Sequence, residues 1–166
     1  MTEISSTFDL EVATHRSPDE FVKFMFGLIH IPIEFEALDG IWETQTQNFE
    51  VSVFDHAADA LTSELGIHPT VFVEFRPKPS LETDIIAVKH LLQAIDRWML
   101  EMPYDFALVH NGESVMMYRR VGKFYVNLAS NGWTPARLSL ITVPYEPIDI
   151  PPLNATIAES EEFTEP

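Results

Sequence analysis

The sequence predicts an α+β fold: one domain with a mainly antiparallel sheet, a long helix packed on one face, and a β-meander toward the carboxyl end. Three observations carry that expectation. Between Leu81 and about Leu100, apolar residues recur at the helical period through Ile85, Val88, Leu92, Ile95 and Met99. Runs on either side alternate apolar and polar residues with the period of two that strands require. Asn111-Gly112 lies between two such runs, and this dipeptide tolerates the positive φ that both central residues of a type I′ hairpin turn need.

Taken in order, Thr7 to Thr14 alternates Phe8, Leu10 and Val12 against Asp9 and Glu11, a strand with one wet face. Ser17-Pro18-Asp19-Glu20 then supplies a capping serine, a proline at the first helical position and a glutamate at the third. A helix is expected from Pro18 to about Ile29, with Phe21, Phe24, Met25 and Leu28 toward the core. Strands follow at Ile33 to Leu38 and Phe49 to Phe54, with a further strand between them at Ile41 to Gln47. In these, Glu34 and Glu36 share one face, while Glu50 and Ser52 lie opposite Phe49, Val51 and Val53. Ala57 to Leu65 reads as a short helix stopped by Gly66, and Thr70 to Phe75 as a β-branched strand closed by Pro77 and Pro79.

The long helix starts after Ser80 and ends before Pro103; Leu81 tops its stripe, and Leu91 and Trp98 widen it. A two-residue loop at Asn111-Gly112 pairs His110 with Glu113, Leu108 with Val115 and Phe106 with Met117. A second turn at Val121-Gly122-Lys123 returns Phe124, Val126 and Leu128 to that same face. A short helical turn through Leu138 and a proline-rich run complete the domain, residues 1–153. Residues 154–166, with Glu159, Glu161, Glu162 and Glu165, are expected to form an acidic, disordered tail.

Composition narrows the function. The 166 residues are 46% hydrophobic, enough for one ordinary core, and the twelve Phe, three Trp and four Tyr argue against disorder despite a net charge of −16. Twenty-six acids against ten bases repel nucleic acid and anionic membranes and speed encounter with basic partners. Solubility alone explains the charge equally well. The chain has no cysteine, so it has no disulfide, thiolate metal site or cysteine nucleophile. MTEISSTFDLEV has neither a basic start nor an apolar segment, and no window reaches the length of a membrane span; a soluble cytoplasmic protein is expected.

Chemistry-bearing patterns are sparse. The six histidines are scattered, and His56-Ala-Ala-Asp59 alone is too little for a metal site. There is no Gly-x-Ser-x-Gly elbow, phosphate loop or dinucleotide fingerprint. Glu34 and Glu36 read as two exposed glutamates unless one occupies an apolar pocket that raises its pKa. His110 and Glu113 are explained by cross-strand pairing at the hairpin, which stabilises by tenths of a kcal/mol.

The run GIHPTVFVEFRPKP followed by the long helix, then FALVHNGESVMMYRRVGKFYVN and WTPARLSLITVPYEP, resembles the Sit-type immunity proteins, the partners of swapped inner-membrane polymorphic toxins in bacteria. The matching features include Gly66, Pro69-Thr70, Phe75-Arg76, Asn111-Gly112-Glu113, Arg119-Arg120, Asn127, Trp133-Thr134-Pro135, Arg137-Leu138 and Pro144-Tyr145-Glu146. Their order and spacing carry the resemblance, which covers the last two thirds of the domain better than its start. It implies binding rather than turnover: a small cytoplasmic protein that occludes an active or essential surface of a cognate toxin domain, with no cofactor and no enzymatic activity.

On this reading the surplus carboxylates suit a basic target such as a nuclease-type toxin. The contact surface is expected at Glu34, Glu36, Asp39, Glu43 and Glu50, with Trp42 as an aromatic anchor. Two alternatives stay open: a small hydrolase using a carboxylate with His56 or His110, and an acidic adaptor that binds through its tail. A homodimer through an exposed strand edge is also allowed.

Overall fold

A computed structural model of the chain describes residues 6–55 and 63–152. These residues form a nine-stranded sheet in the order β2-β3-β4-β5-β1-β6-β7-β8-β9. Its strands are β1 (Phe8–Val12), β2 (Glu36–Leu38), β3 (Ile41–Gln45), β4 (Phe49–Phe54), β5 (Val71–Pro77), β6 (Phe106–His110), β7 (Ser114–Arg120), β8 (Lys123–Asn127) and β9 (Glu146–Ile148). Every pairing is antiparallel except β8 with β9. The α+β expectation, with a long helix on the sheet and a meander toward the end, is what the fold shows.

The helices α1 (Pro18–Gly27) and α2 (Leu81–Glu101) pack on one face of the sheet and on each other, while α3 (Pro135–Leu138) is a single turn. Between them and the strands lies the core. Phe26 stacks on Phe49 and Phe75 with ring centroids 5.4 and 6.1 Å apart, and Trp98 meets Phe21 and Phe106 edge-on. Each of these fully buried side chains contributes about 2–3 kcal/mol of transfer free energy. Strand β1 runs through the middle of the sheet, and its polar face is not uniformly wet: Glu11 is buried between Phe72 and Ala107 of the neighbouring strands.

Helix α1 ends at Gly27, two residues before the expected end. Its buried side is Phe21, Val22, Met25 and Phe26, with Phe24 and Leu28 only half-buried. Ser17 does not cap the helix through its side chain: its hydroxyl donates to Asp19 Oδ1. Ser80 does cap α2, accepting the Thr83 N–H at 3.0 Å. The face that α2 buries is rotated from the apolar stripe, for Leu81 and Ile85 are 62% and 59% exposed while Asp84 and Asp96 are buried. Both carboxylates are engaged. Asp84 takes hydrogen bonds from Ser6 and Arg137, and Asp96 from the Thr142 N–H and hydroxyl and the Val143 N–H.

The Asn111-Gly112 turn forms where expected, with φ of 52° and 66°, but Glu113 joins it as a third loop residue, its N–H donating to His110 O. The register therefore differs. His110 pairs with Ser114 and Val109 with Val115; a β-bulge then intervenes, so that Leu108 pairs with Met117 and Phe106 with Arg119. Leu128 is exposed rather than on the buried face with Phe124 and Val126. The longer loop and the bulge together place Arg119, not Met117, opposite Phe106 on the helix side of the sheet. There its guanidinium donates to Met99 O, Met102 O and Tyr104 O, carbonyls in and just beyond the last turn of α2, where helical partners run out.

The polypeptide after β8 is tied down by polar groups. Asn127, fully buried, donates to Val115 O and Ile150 O and accepts the N–H groups of Ala129 and Ile150. Strand β9 contains Pro147 at the sheet edge, where a missing N–H is tolerated. Of the short helix expected at Ala57 to Leu65, the described part is a 3-10 turn at Ser63–Leu65. The rest of it, His56 and the tail lie outside the described residues.

Candidate functional site

The β2–β3 hairpin turns on Asp39-Gly40, whose φ angles of 53° and 79° suit a two-residue turn, and this fixes the register of the acidic strands. Glu36 pairs with Glu43, Glu43 with Ser52, Glu50 with Gln45 and Arg76, Ser52 with Glu74, and Glu74 with Asp9. Residues directly opposite share a face, so Glu36, Glu43, Glu50, Glu74 and Asp9 form a band across five strands. The expected strand at Ile33 to Leu38 is shorter, beginning only at Glu36, but Glu34 still comes to the same place. Glu34, Glu36, Glu43 and Glu50 line one open cleft of about 810 Å³ together with Pro32, Gln45 and Arg76.

Arg76 is the cation of this band. Its guanidinium reaches Glu74 at 2.5 Å, Ser52 Oγ at 3.1 Å and Glu50 at 3.6 Å. All three charged groups are about a third exposed, so each pair contributes no more than about 1 kcal/mol. The surface therefore keeps a net negative field with one ordered positive group inside it.

Asp39 is exposed at the hairpin turn, outside the cleft lining. Trp42 alternates to the other face, opposite Ala37 and Val53, where it is half-buried against the core. The structure thus brings together four of the six expected residues and sets Trp42 apart. Asp9, Glu74 and Arg76 join the site from strands distant in sequence. The alternation of Val71, Val73 and Phe75 with Phe72, Glu74 and Arg76 marks the last two as residues of the polar face.

Burial pushes the Asp9 carboxyl up to about 6, the Glu74 charge adding to the rise and Arg76 opposing it. Because the folded value lies above the unfolded one, the native chain binds more protons between about pH 4 and 6, and stability falls as pH rises through that window. Asp9→Asn is expected to abolish that fall and to raise stability at pH 7 by about 1–2 kcal/mol. Urea denaturation at a series of acid and neutral pH values measures it, and parallel pH profiles for both proteins would refute the assignment.

His110 is 8% exposed, rests against the Phe8 ring at 5.1 Å, and bonds Asn131 Oδ1 through Nδ1 at 3.2 Å. Burial lowers its pKa, an effect the Asn131 hydrogen bond opposes. It sits on the helix side of the sheet, apart from the carboxylate band, and its ladder partner is Ser114 rather than Glu113. Among the described residues no group of three or more His, Asp or Glu is placed to hold a metal ion. None of the described helices is long and apolar enough to cross a membrane.

A family model described as SitI3-like matches residues 6–137. No curated protein and no solved structure matches the chain.

Proposed function

The chain belongs to the SitI3-like family, and from that membership we propose that it is a cytoplasmic immunity protein that binds a cognate toxin domain and neutralises it by covering an active or essential surface. The role is binding, not turnover. The observation that supports the contact surface is the convergence of Glu34, Glu36, Glu43 and Glu50 on one cleft. Asp39 extends the negative rim, and Trp42 braces β3 from behind. Such a surface suits a basic target, including a nuclease-type toxin, because its field steers encounter and fixes orientation.

Co-expression tests the function. The immunity reading predicts a toxin domain encoded beside this chain, and cells making that domain should die without this chain and survive with it; death in both cases would remove the reading. The surface is tested separately by Glu36→Lys with Glu50→Lys. Neither side chain belongs to the core, so the fold should persist, while association at low salt slows at least tenfold and its salt dependence flattens. Unchanged association kinetics would move the contact elsewhere on the molecule.

A further inference from the structure

The turn joining β7 to β8 carries two locally unfavourable arrangements side by side. Arg120 and Lys123 stand directly opposite each other in the ladder, and like charges in that position destabilise a sheet. In a chain with 26 acids, neither has an ion-pair partner among the described residues. Between them Val121, 82% exposed, holds a φ of 50°, a left-handed conformation that costs a β-branched residue about 1–2 kcal/mol. Asp105 Oδ1 holds the Val121 N–H at 2.8 Å, and Glu146 lies opposite Tyr125 on β9, yet neither is within ion-pair distance of the two cations.

Aromatic and apolar groups adjoin the two cations. Tyr118 and Tyr125 stack 4.8 Å apart at an interplanar angle of 26°, and with Leu65, Arg120, Val121 and Lys123 they line a hollow of about 250 Å³. The Arg120 guanidinium lies against Gly66, where an added Cβ would come within 2.6 Å of Cζ. Broken local rules that support no core concentrate at functional surfaces, and tyrosine and arginine are among the side chains enriched at binding hot spots.

We propose that this hairpin end is a second docking surface, opposite in charge to the carboxylate cleft, that takes an acidic peptide segment of a partner protein. A partner carboxylate between Arg120 and Lys123 relieves their mutual repulsion, and the tyrosine pair receives the segment's apolar flank. A polyanionic nucleic acid, or a second copy of this chain at −16, brings far more negative charge against the rest of this acidic surface than a short acidic segment does.

The test is an NMR titration of the full chain at low salt with hexaglutamate, with hexalysine and inorganic phosphate at matched ionic strength as comparisons. Hexaglutamate should shift the amides of Tyr118 and of Arg120 through Tyr125 saturably, and Arg120→Glu with Lys123→Glu should weaken it at least tenfold. Both side chains are exposed, so the variant should fold, and Arg120→Lys with Lys123→Arg should keep binding within about threefold. Equal binding by wild type and the glutamate variant would overturn the proposal. So would phosphate or hexalysine binding there as tightly as hexaglutamate. A sedimenting dimer that the glutamate variant loses would assign the surface to a second copy instead, and likewise overturn it.

Discussion

Replacing Arg119 with Ala is expected to cost about 3–5 kcal/mol, a large fraction of the stability of a chain this size. The guanidinium is buried, donates to three backbone carbonyls at the end of α2, and lies 5.2 Å from the Trp98 ring centroid and 5.7 Å from that of Phe106. Removing it takes the donor from Met99, Met102 and Tyr104 together, and each orphaned acceptor costs about 1–3 kcal/mol. Burial lowers the Arg119 pKa and the Asp105 charge raises it; the group stays a cation because guanidinium titrates so far above neutrality. Arg119→Lys retains the charge but presents a point donor in place of a planar fork, so it should restore no more than about half of the loss. Guanidinium denaturation of the three proteins measures the series. A loss below about 1 kcal/mol for Arg119→Ala would show that water or repacking replaces the three bonds.

Asn127→Leu is expected to cost about 3 kcal/mol, through a different cause. Leucine has the same branched shape and leaves no cavity, so the loss is chiefly polar, with added crowding from its bulkier methyl groups at a fully buried site. Four hydrogen bonds disappear at a fully buried position: two donated to the Val115 and Ile150 carbonyls and two accepted from the Ala129 and Ile150 amides. Two of the four hold the segment after β9, so the effect is also local. Hydrogen exchange at Ile148 and Ile150 should accelerate far more than exchange in β1 or β5. If exchange rises evenly through the sheet, Asn127 serves the whole fold rather than its carboxyl end.

Much of this architecture is legible in the sequence because it rests on short-range rules. Asn111-Gly112, the Ser80 cap, the alternation of β4 and the helical period of α2 each depend on residues within a few positions of one another. What the sequence hides depends on partners far along the chain. The apolar stripe of α2 points to Leu81 and Ile85, but the helix buries Asp84 and Asp96 because Ser6, Arg137, Thr142 and Val143 supply their hydrogen bonds. Alternation along β7 puts Arg119 on the face of Met117, yet only the shifted register brings it opposite Phe106 and under the end of a helix that precedes it in the chain.

The candidate site divides in the same way. Glu36, Glu43 and Glu50 are legible because three neighbouring strands are joined by short turns, one of them the Asp39-Gly40 pair whose tolerance of positive φ is a local signal. Trp42 follows from the same alternation, which sends it to the face away from Glu43. Asp9, Glu74 and Arg76 are legible only as members of polar strand faces; that β1 lies beside β5 is a tertiary fact no local pattern contains.

The position of β1 in the sheet order also governs the sequence of assembly. Strands β2 through β4 and β6 through β8 are runs of neighbours joined by short connections, whereas β1 pairs with β5 on one edge and β6 on the other. It is synthesised before the other eight strands, yet its second edge stays unpaired until residues 106–110 have left the ribosome. Closing such long loops is slow compared with forming hairpins. Each half of the sheet can therefore form early, and the joining of the halves through Phe8, Leu10 and Val12 becomes the late step, a keystone laid first and locked last.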